Sequence, residues 1–193
     1  FHRGFTIVEL LIATAGMFVL GGVLLSLYFT QFQSLSIVMG RSTVSSTLRN
    51  TSEQIERDVH RARGVLPSAG CAYVAAAPAN ISLVLDVPNV LGPGADGVVV
   101  YRCQPIGACG GGNPGRLERL VDAPGCPGPL ETRQLANRVT TLMMFSNSCD
   151  PDLGFPLPAV GPRSIQTHLE VESVTNRFTT SGKVVTCYTL RNN

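Results

Sequence analysis

The feature that most constrains this chain is an apolar run over residues 5–29, which contains no proline and a single charged side chain, Glu9. A helix of this length measures roughly 37 Å at a rise of about 1.5 Å per residue, and the hydrocarbon core of a bilayer is about 30 Å thick. The run therefore predicts one transmembrane helix. A secretory signal peptide is the alternative, but its apolar core is shorter, about 7–15 residues, and a small-residue cleavage site follows it.

Charges on either side of the run indicate its orientation. His2 and Arg3 precede it, and Arg41 follows only after a polar interval. Because the cytoplasmic flanks of membrane helices are enriched in basic residues, we expect the N-terminus in the cytoplasm and the bulk of the chain outside.

The rest of the chain has the composition of an ordinary folded domain. The whole sequence is 44% apolar and 15% charged, which excludes a disordered protein. Its net charge is only +2, so there is no electrostatic argument for a nucleic-acid partner. The sequence predicts an apolar arm joined to one small domain.

Glu9 is the anomaly within the arm. A carboxylate at full membrane depth costs on the order of 2.5–3.5 kcal/mol unless it finds a partner. One interpretation is that Glu9 sits hydrated at the membrane interface. The other is that it meets a cation, and since the arm contains none, that cation must come from another molecule.

The residues around Glu9 carry a family resemblance. The segment from Gly4 to Ile12, with the sequence GFTIVELLI, resembles the processing site of type IV pilins and type II secretion pseudopilins. The resemblance implies that a prepilin peptidase cuts after Gly4 and that Phe5 becomes the methylated N-terminus. It also implies that Glu9 neutralises the N-terminal ammonium of a neighbouring filament subunit. Residues 1–4 would then be the remnant of a longer leader.

Beyond the arm, the sequence predicts that the same helix continues along a head domain. Apolar residues recur at spacings of three, four and seven, while Thr51 and Ser52 fill a gap in the stripe. The stripe consists of Val44, Leu48, Ile55, Val59 and Ala62. Gly64 and Pro67 supply a stop signal, so the predicted helix covers about residues 6–63.

The remainder of the sequence predicts β-structure. Apolar alternation and short apolar runs predict six strands, at residues 81–87, 98–103, 116–121, 139–146, 168–174 and 183–190. We expect the second and third to form a hairpin, and the inserts 104–115, 122–131 and 147–163 are too irregular to assign. In the fifth, Leu169 and Val171 share one face and Glu170 and Glu172 the other.

These elements define the expected fold and domains. The fold class is α+β and type IV pilin-like, with a long N-terminal helix packed on an antiparallel β-sheet head. The predicted divisions are 1–4 for the leader remnant, 5–29 for the membrane or filament-core helix, 30–66 for its amphipathic continuation and 67–193 for the head.

Parts of the head resemble a particular branch of the superfamily. These segments are similar to PilW-type minor pilins and J-type minor pseudopilins, and they comprise Tyr101-Arg102, residues 115–119, residues 135–139 and residues 190–192.

All six cysteines lie beyond the arm, at Cys71, Cys103, Cys109, Cys126, Cys149 and Cys187. An even number in an oxidising compartment predicts up to three disulfides. Six cysteines allow 15 connectivities, so the pairing stays open, with a preference for Cys109–Cys126 because both flank loops around the hairpin. Zinc is disfavoured because the sequence contains no Cys-x-x-Cys pair.

Catalytic motifs are missing from the sequence, and we expect neither an enzyme nor a cofactor or metal. His60 lies among Arg57, Arg61 and Arg63, which indicates a solvated face. Asp150 and Asp152 could contribute to calcium binding, but two acids in a turn are more often turn formers.

The expected function is that of a minor pilin of a type IV pilus, a structural subunit that primes assembly at or near the filament tip. The alternatives are a J-like minor pseudopilin of type II secretion and a tip adhesin or DNA-uptake pilin. Expected partners are other pilin or pseudopilin subunits, a prepilin peptidase and the inner membrane, with no small-molecule substrate and with nucleic acid only in DNA uptake. The head would be periplasmic before assembly and part of a periplasmic or extracellular filament afterwards.

Overall fold

A single long helix and a seven-stranded sheet account for the regular structure of the described residues. The computed structural model describes residues 6–66, 71, 82–105, 108–110, 113–146, 164–175 and 178–190. The elements are α1 (Ile7–Arg61), β1 (Gly64–Leu66), β2 (Ser82–Gly92), β3 (Ala95–Gln104), β4 (Gly115–Asp122), β5 (Glu131–Ser146), β6 (Ser164–Thr175) and β7 (Phe178–Thr189). This is the predicted α+β, pilin-like arrangement of a long N-terminal helix on an antiparallel sheet.

The helix forms where the apolar stripe predicts it. All five stripe residues are buried, and Thr51 is buried in the gap between them. The helix ends at Arg61, two residues before the predicted end. Ala62 is extended, at φ −70° and ψ 138°, and Arg63 donates its backbone N–H to the Asp86 carbonyl, because the chain turns directly into β1.

Every strand of the sheet pairs with its sequence neighbours, in the order β1 to β7 and antiparallel throughout. All six predicted strands are confirmed as β2 to β7, and β3 and β4 form the predicted hairpin. The short strand β1 was not predicted. β5 begins at Glu131, well before residue 139 where the prediction placed its start.

The sheet curls around the C-terminal half of α1, which contacts β7 and β6 most and also β5 and β2. Its helix-facing side holds the main core, where Ile55 and Val59 meet residues such as Leu85, Leu117 and Leu142. A second, smaller core lies on the outer side of the sheet around Val84, Val98, Val100 and Leu120. In β6, Leu169 and Val171 are buried while Glu170 and Glu172 are only half-buried, as the alternation predicts.

β5 changes partner along its length. Its first half, residues 131–139, pairs with β4, whereas residues 139–146 pair with β6. The change falls next to Arg138, a non-glycine residue with φ 51°, and register shifts on both neighbouring ladders flank it. A β-bulge of this kind bends a strand away from one neighbour. The bend separates the start of β5 from the end of β6.

Candidate assembly site

The N-terminal half of α1 forms an uncovered apolar surface. Near its N-terminus the helix is long and apolar enough to cross a bilayer, and none of that span is buried. Side chains that are more than half exposed include Ile7, Leu11, Phe18, Leu24 and Phe29. A contiguous apolar surface of this extent marks contact with a membrane or with other proteins.

The apolar surface continues past the predicted membrane segment. The head begins to cover the helix at Ser36, yet Leu35, Val38 and Met39 on the other side of the same turns remain exposed. The uncovered apolar surface therefore extends along α1 onto the first helical turns that the head contacts.

Glu9 is the one charged residue in the membrane-length segment, and its carboxylate closes the start of the helix. Glu9 Oε2 accepts hydrogen bonds from Thr6 N at 2.9 Å and from Thr6 Oγ1 at 3.0 Å, and Glu9 N donates to Thr6 Oγ1 at 3.4 Å. The two residues form a capping box, with Thr6 as the N-cap. The acid also lies at the positive end of the helix dipole.

The capping box changes the account of Glu9. The predicted partner of Glu9 was water or a foreign cation, although the Thr-x-x-Glu spacing is itself a signature of a helix start. One carboxylate oxygen is engaged in this way, while Oε1 accepts no hydrogen bond from the described residues. The acid can therefore hold the helix start and still offer an oxygen to a cation. Gly4 and Phe5, predicted for cleavage and methylation, lie outside the described residues.

A buried polar cluster joins the head to the second half of α1. Arg119 Nε on β4 donates to Asp58 Oδ2 at 2.6 Å, and Arg119 Nη2 donates to Asp58 Oδ1 at 3.2 Å. Tyr101 Oη on β3 donates to the same Asp58 Oδ2 at 2.5 Å. Asp58 is 1% and Arg119 9% exposed. Both oxygens of the carboxylate are thus used, which a buried charge requires.

Ionisation of the cluster follows from burial and charge. Burial raises the pKa of Tyr101 well above its ordinary value, and the Asp58 carboxylate and its hydrogen bond raise it further. Burial by itself lowers the pKa of Arg119, but the hydrogen bond and charge of Asp58 outweigh that effect, so the pKa lies above its ordinary value. Tyr101 stays neutral and Arg119 charged.

This cluster was not predicted from the sequence, although a signal was present. Arg119 lies on the same inward face of a predicted strand as Leu117 and Val121. On the helix, Asp58 lies beside the buried stripe at Ile55 and Val59. Two opposite charges at inward-facing positions indicate a buried ion pair, because charged side chains are rarely buried without a partner.

The disulfides correct the predicted pairing. Cys71 bonds to Cys126 and Cys103 to Cys109, with Cα–Cα separations of 5.0 and 6.3 Å, so the preference for Cys109–Cys126 was wrong. Cys109 follows the end of β3 closely and is held beside it, whereas Cys126 lies on the outer side of the sheet with the second core. Cys187 is also disulfide-bonded, and Cys149 lies outside the described residues.

The remaining candidate residues are simpler. His60 is exposed and lies 3.7 Å from the Glu56 carboxylate, on the solvated face that its neighbours indicated. Asp150 and Asp152 lie outside the described residues.

Comparison of the chain with protein-family models, with curated proteins and with solved structures found no match. The long apolar helix on an antiparallel sheet is compatible with a pilin-like fold.

Proposed function

We propose that this chain is a minor pilin of a type IV pilus, a structural subunit that primes assembly and lies at or near the filament tip. The observation that carries the proposal is the uncovered apolar half of α1, which has Glu9 as its one charge and is continuous with the helix that anchors the head. Such a surface is stable in a bilayer, and it is equally suited to packing against copies of similar helices.

Assembly would exchange one apolar environment for another. In the membrane, the arm is solvated by lipid; in a filament, the arms of neighbouring subunits replace the lipid. Glu9 Oε1 would then accept a hydrogen bond from the N-terminal ammonium of Phe5 in a neighbouring subunit. The core of such a filament has a low dielectric, in which a buried charge without its partner costs about 3–5 kcal/mol. This pair would therefore fix the register between neighbouring helices.

The head has a separate part in this proposal. The Asp58–Arg119 pair and the buried stripe fix the sheet to the second half of α1. A displacement of the head would therefore also displace the arm, which is the first half of the same helix. The resemblance of residues 101–102, 115–119, 135–139 and 190–192 to minor pilins supports placement of the head at or near the tip. Before assembly the head would lie in the periplasm, with the arm in the inner membrane.

Processing of the N-terminus tests this proposal. Assembled protein purified from sheared filaments should begin at Phe5 with a methylated amine, which intact-mass measurement and N-terminal sequencing detect. Gold-labelled antibody against the head should mark filament ends. Assembled protein that retains residues 1–4, or label spread evenly along the filaments, would contradict the respective parts of the proposal.

A further inference from the structure

The bend in β5 opens a notch in the sheet. Residues 172–175 of β6 continue to pair with β7, but opposite them β5 has already turned away. The notch lies between residues 134–138 of β5, residues 171–174 of β6, and Thr43 and Thr47 of α1. Its volume is about 370 Å³, within the range of about 300–1,000 Å³ typical of ligand pockets.

Two strand edges face this notch with no neighbouring strand among the described residues. Residues 131–138 pair with β4 on one side alone, and residues 172–175 pair with β7 on one side alone. In an antiparallel ladder, alternate residues direct their N–H and C=O groups to opposite sides. Both walls of the notch therefore present backbone donors and acceptors, the surface to which an added strand binds.

The side chains of the notch suit a peptide backbone and small side chains. Val44, Ala136 and Val171 form a buried apolar floor. Above it, the side-chain amides of Gln134 and Asn137 form no hydrogen bond with any described residue, and both are available to an incoming chain. Arg138 Nη2 donates to Glu172 Oε1 and closes the narrow end, where β5 and β6 meet.

Charge at the open end favours an acidic segment. Arg133 is exposed and lies directly opposite Arg119 in the β4–β5 register. Arg119 is neutralised by Asp58, whereas Arg133 has no ion-pair partner among the described residues. Opposite charges on neighbouring strands stabilise a sheet, so an added strand with an acidic side chain beside Arg133 would supply a counter-charge for it.

We propose that the notch binds an extended segment of another protein, which adds to the free edge of residues 131–138 as a further β-strand and places an acidic side chain against Arg133. This proposal depends on the geometry of the head and not on the filament role, so either can fail without the other.

Peptide selection on the full chain in detergent micelles tests the proposal. The probe is a phage-displayed library of random peptides about ten residues long, a common strand length, and enriched peptides are resynthesised and their affinities measured by fluorescence anisotropy. We expect acidic sequences without proline at the centre. Failure to enrich any sequence, or enrichment of basic sequences, would overturn the proposal.

Two pairs of variants locate the bound peptide. Thr47→Trp fills the notch, and its matched control Ser46→Trp adds the same side chain to the exposed side of α1. Arg133→Glu reverses the charge at the open end, and Arg41→Glu is its control at an exposed arginine on the helix. We expect at least about a tenfold loss of affinity for the first member of each pair and little change for the second. Equal effects within a pair would exclude the notch.

A third measurement uses the unaltered protein and so does not depend on the folding of variants. Peptides N-methylated at every second residue are made in the two possible phases. In one phase, the methyl groups replace the N–H hydrogens that would be donated to β5, so this peptide should bind at least about tenfold more weakly than the unmethylated peptide. In the other phase, the N–H groups that point at β5 are intact, so that peptide should bind more strongly than the first. Equal affinity of the two phases would contradict strand addition. Overlapping peptides from this chain's own sequence are tested in parallel, and tight binding of one of them would replace a foreign partner by a second copy.

Discussion

Arg119 on β4 binds Asp58 on α1 through two hydrogen bonds, of 2.6 and 3.2 Å, across 61 residues of sequence. The pair lies inside the curled sheet and links its middle strand to the helix, with Tyr101 donating to the same carboxylate. The second half of α1 is thus fixed to the head by a polar contact as well as by the apolar stripe.

Removing the acid of this pair should destabilise the head strongly. Asp58→Ala leaves the Arg119 guanidinium buried without a counter-charge, for which we expect a loss of about 3–5 kcal/mol in the free energy of unfolding. The measurement is urea unfolding of the full chain in detergent, followed by circular dichroism.

The surface pair Arg63–Asp96 provides the control for that experiment. Both of its side chains are substantially exposed, so Arg63→Ala should cost at most about 1 kcal/mol. The double variant Asp58→Ala, Arg119→Met should lose less than the sum of its single variants. Additive losses, or a cost of Asp58→Ala no larger than that of Arg63→Ala, would show that the buried pair is not an anchor.

Stability should fall at alkaline pH because of Tyr101. Burial, and then the negative charge of Asp58, raise the pKa of Tyr101 in the folded chain, while the unfolded chain keeps the ordinary value of about 10. Below that value both states are protonated and the contribution is complete. Above it only the unfolded chain loses its proton, so stability declines by about 1.4 kcal/mol per pH unit.

Tyr101→Phe isolates this effect. The variant loses the hydrogen bond to Asp58 at every pH but has no proton to lose at this position. The stability advantage of the wild type over Tyr101→Phe, measured by urea unfolding, should be constant up to about pH 10 and shrink above it. A difference that stays constant into the alkaline range would contradict the assignment.

Close packing between α1 and β7 depends on Gly182. A Cβ at this position would lie 2.5 Å from Val44 Cγ1 and 3.0 Å from Leu48 Cδ1. Gly182→Ala should therefore destabilise the chain by about 1–3 kcal/mol, and the added change Val44→Ala should restore part of the loss. Gly64→Ala is the matched control, since its Cβ would have no neighbour within 4 Å. Equal thermal midpoints for the two alanine variants would contradict the close contact.

The sequence predicted those parts of the fold that repeat at a local period. The stripe through Val44, Ile55 and Val59 and the alternation in β6 are each set by which side faces the core, so their spacing is visible in the chain. β1 escaped prediction because its three residues pair with β2 without any pattern of their own. The early start of β5 escaped because a bend at Arg138, with its positive φ, interrupts the alternation.

The candidate site was predictable only in part. Glu9 stands out because it is the single acid in an apolar run, and a carboxylate at full membrane depth is costly. The Asp58–Arg119 pair and the Cys71–Cys126 disulfide join residues 61 and 55 positions apart, and no local spacing specifies which of several distant residues will meet.

The two described disulfides should differ in how much they stabilise. Cys71–Cys126 spans 55 residues and Cys103–Cys109 only 6, so the chain-entropy model gives about 4 kcal/mol for the first and about 2 kcal/mol for the second. Paired Cys→Ser variants compared by urea unfolding measure this order. A larger loss for the short loop, or a Cys109–Cys126 cross-link in peptide mapping, would contradict the assignment.

The most direct test of the proposed filament role is the charge of Glu9. Glu9→Gln keeps an acceptor for the Thr6 capping box, since glutamine serves at this position of the motif, but it removes the negative charge that would meet the ammonium of a neighbour. Glu9→Ala removes both. The measurement is the ratio of protein in sheared filaments to protein in membranes. We predict normal membrane levels for both variants and a ratio at least about tenfold below wild type, because breaking a buried ion pair costs about 3–5 kcal/mol. A wild-type ratio for Glu9→Gln would mean that the acid serves the helix start alone and would contradict the docking role.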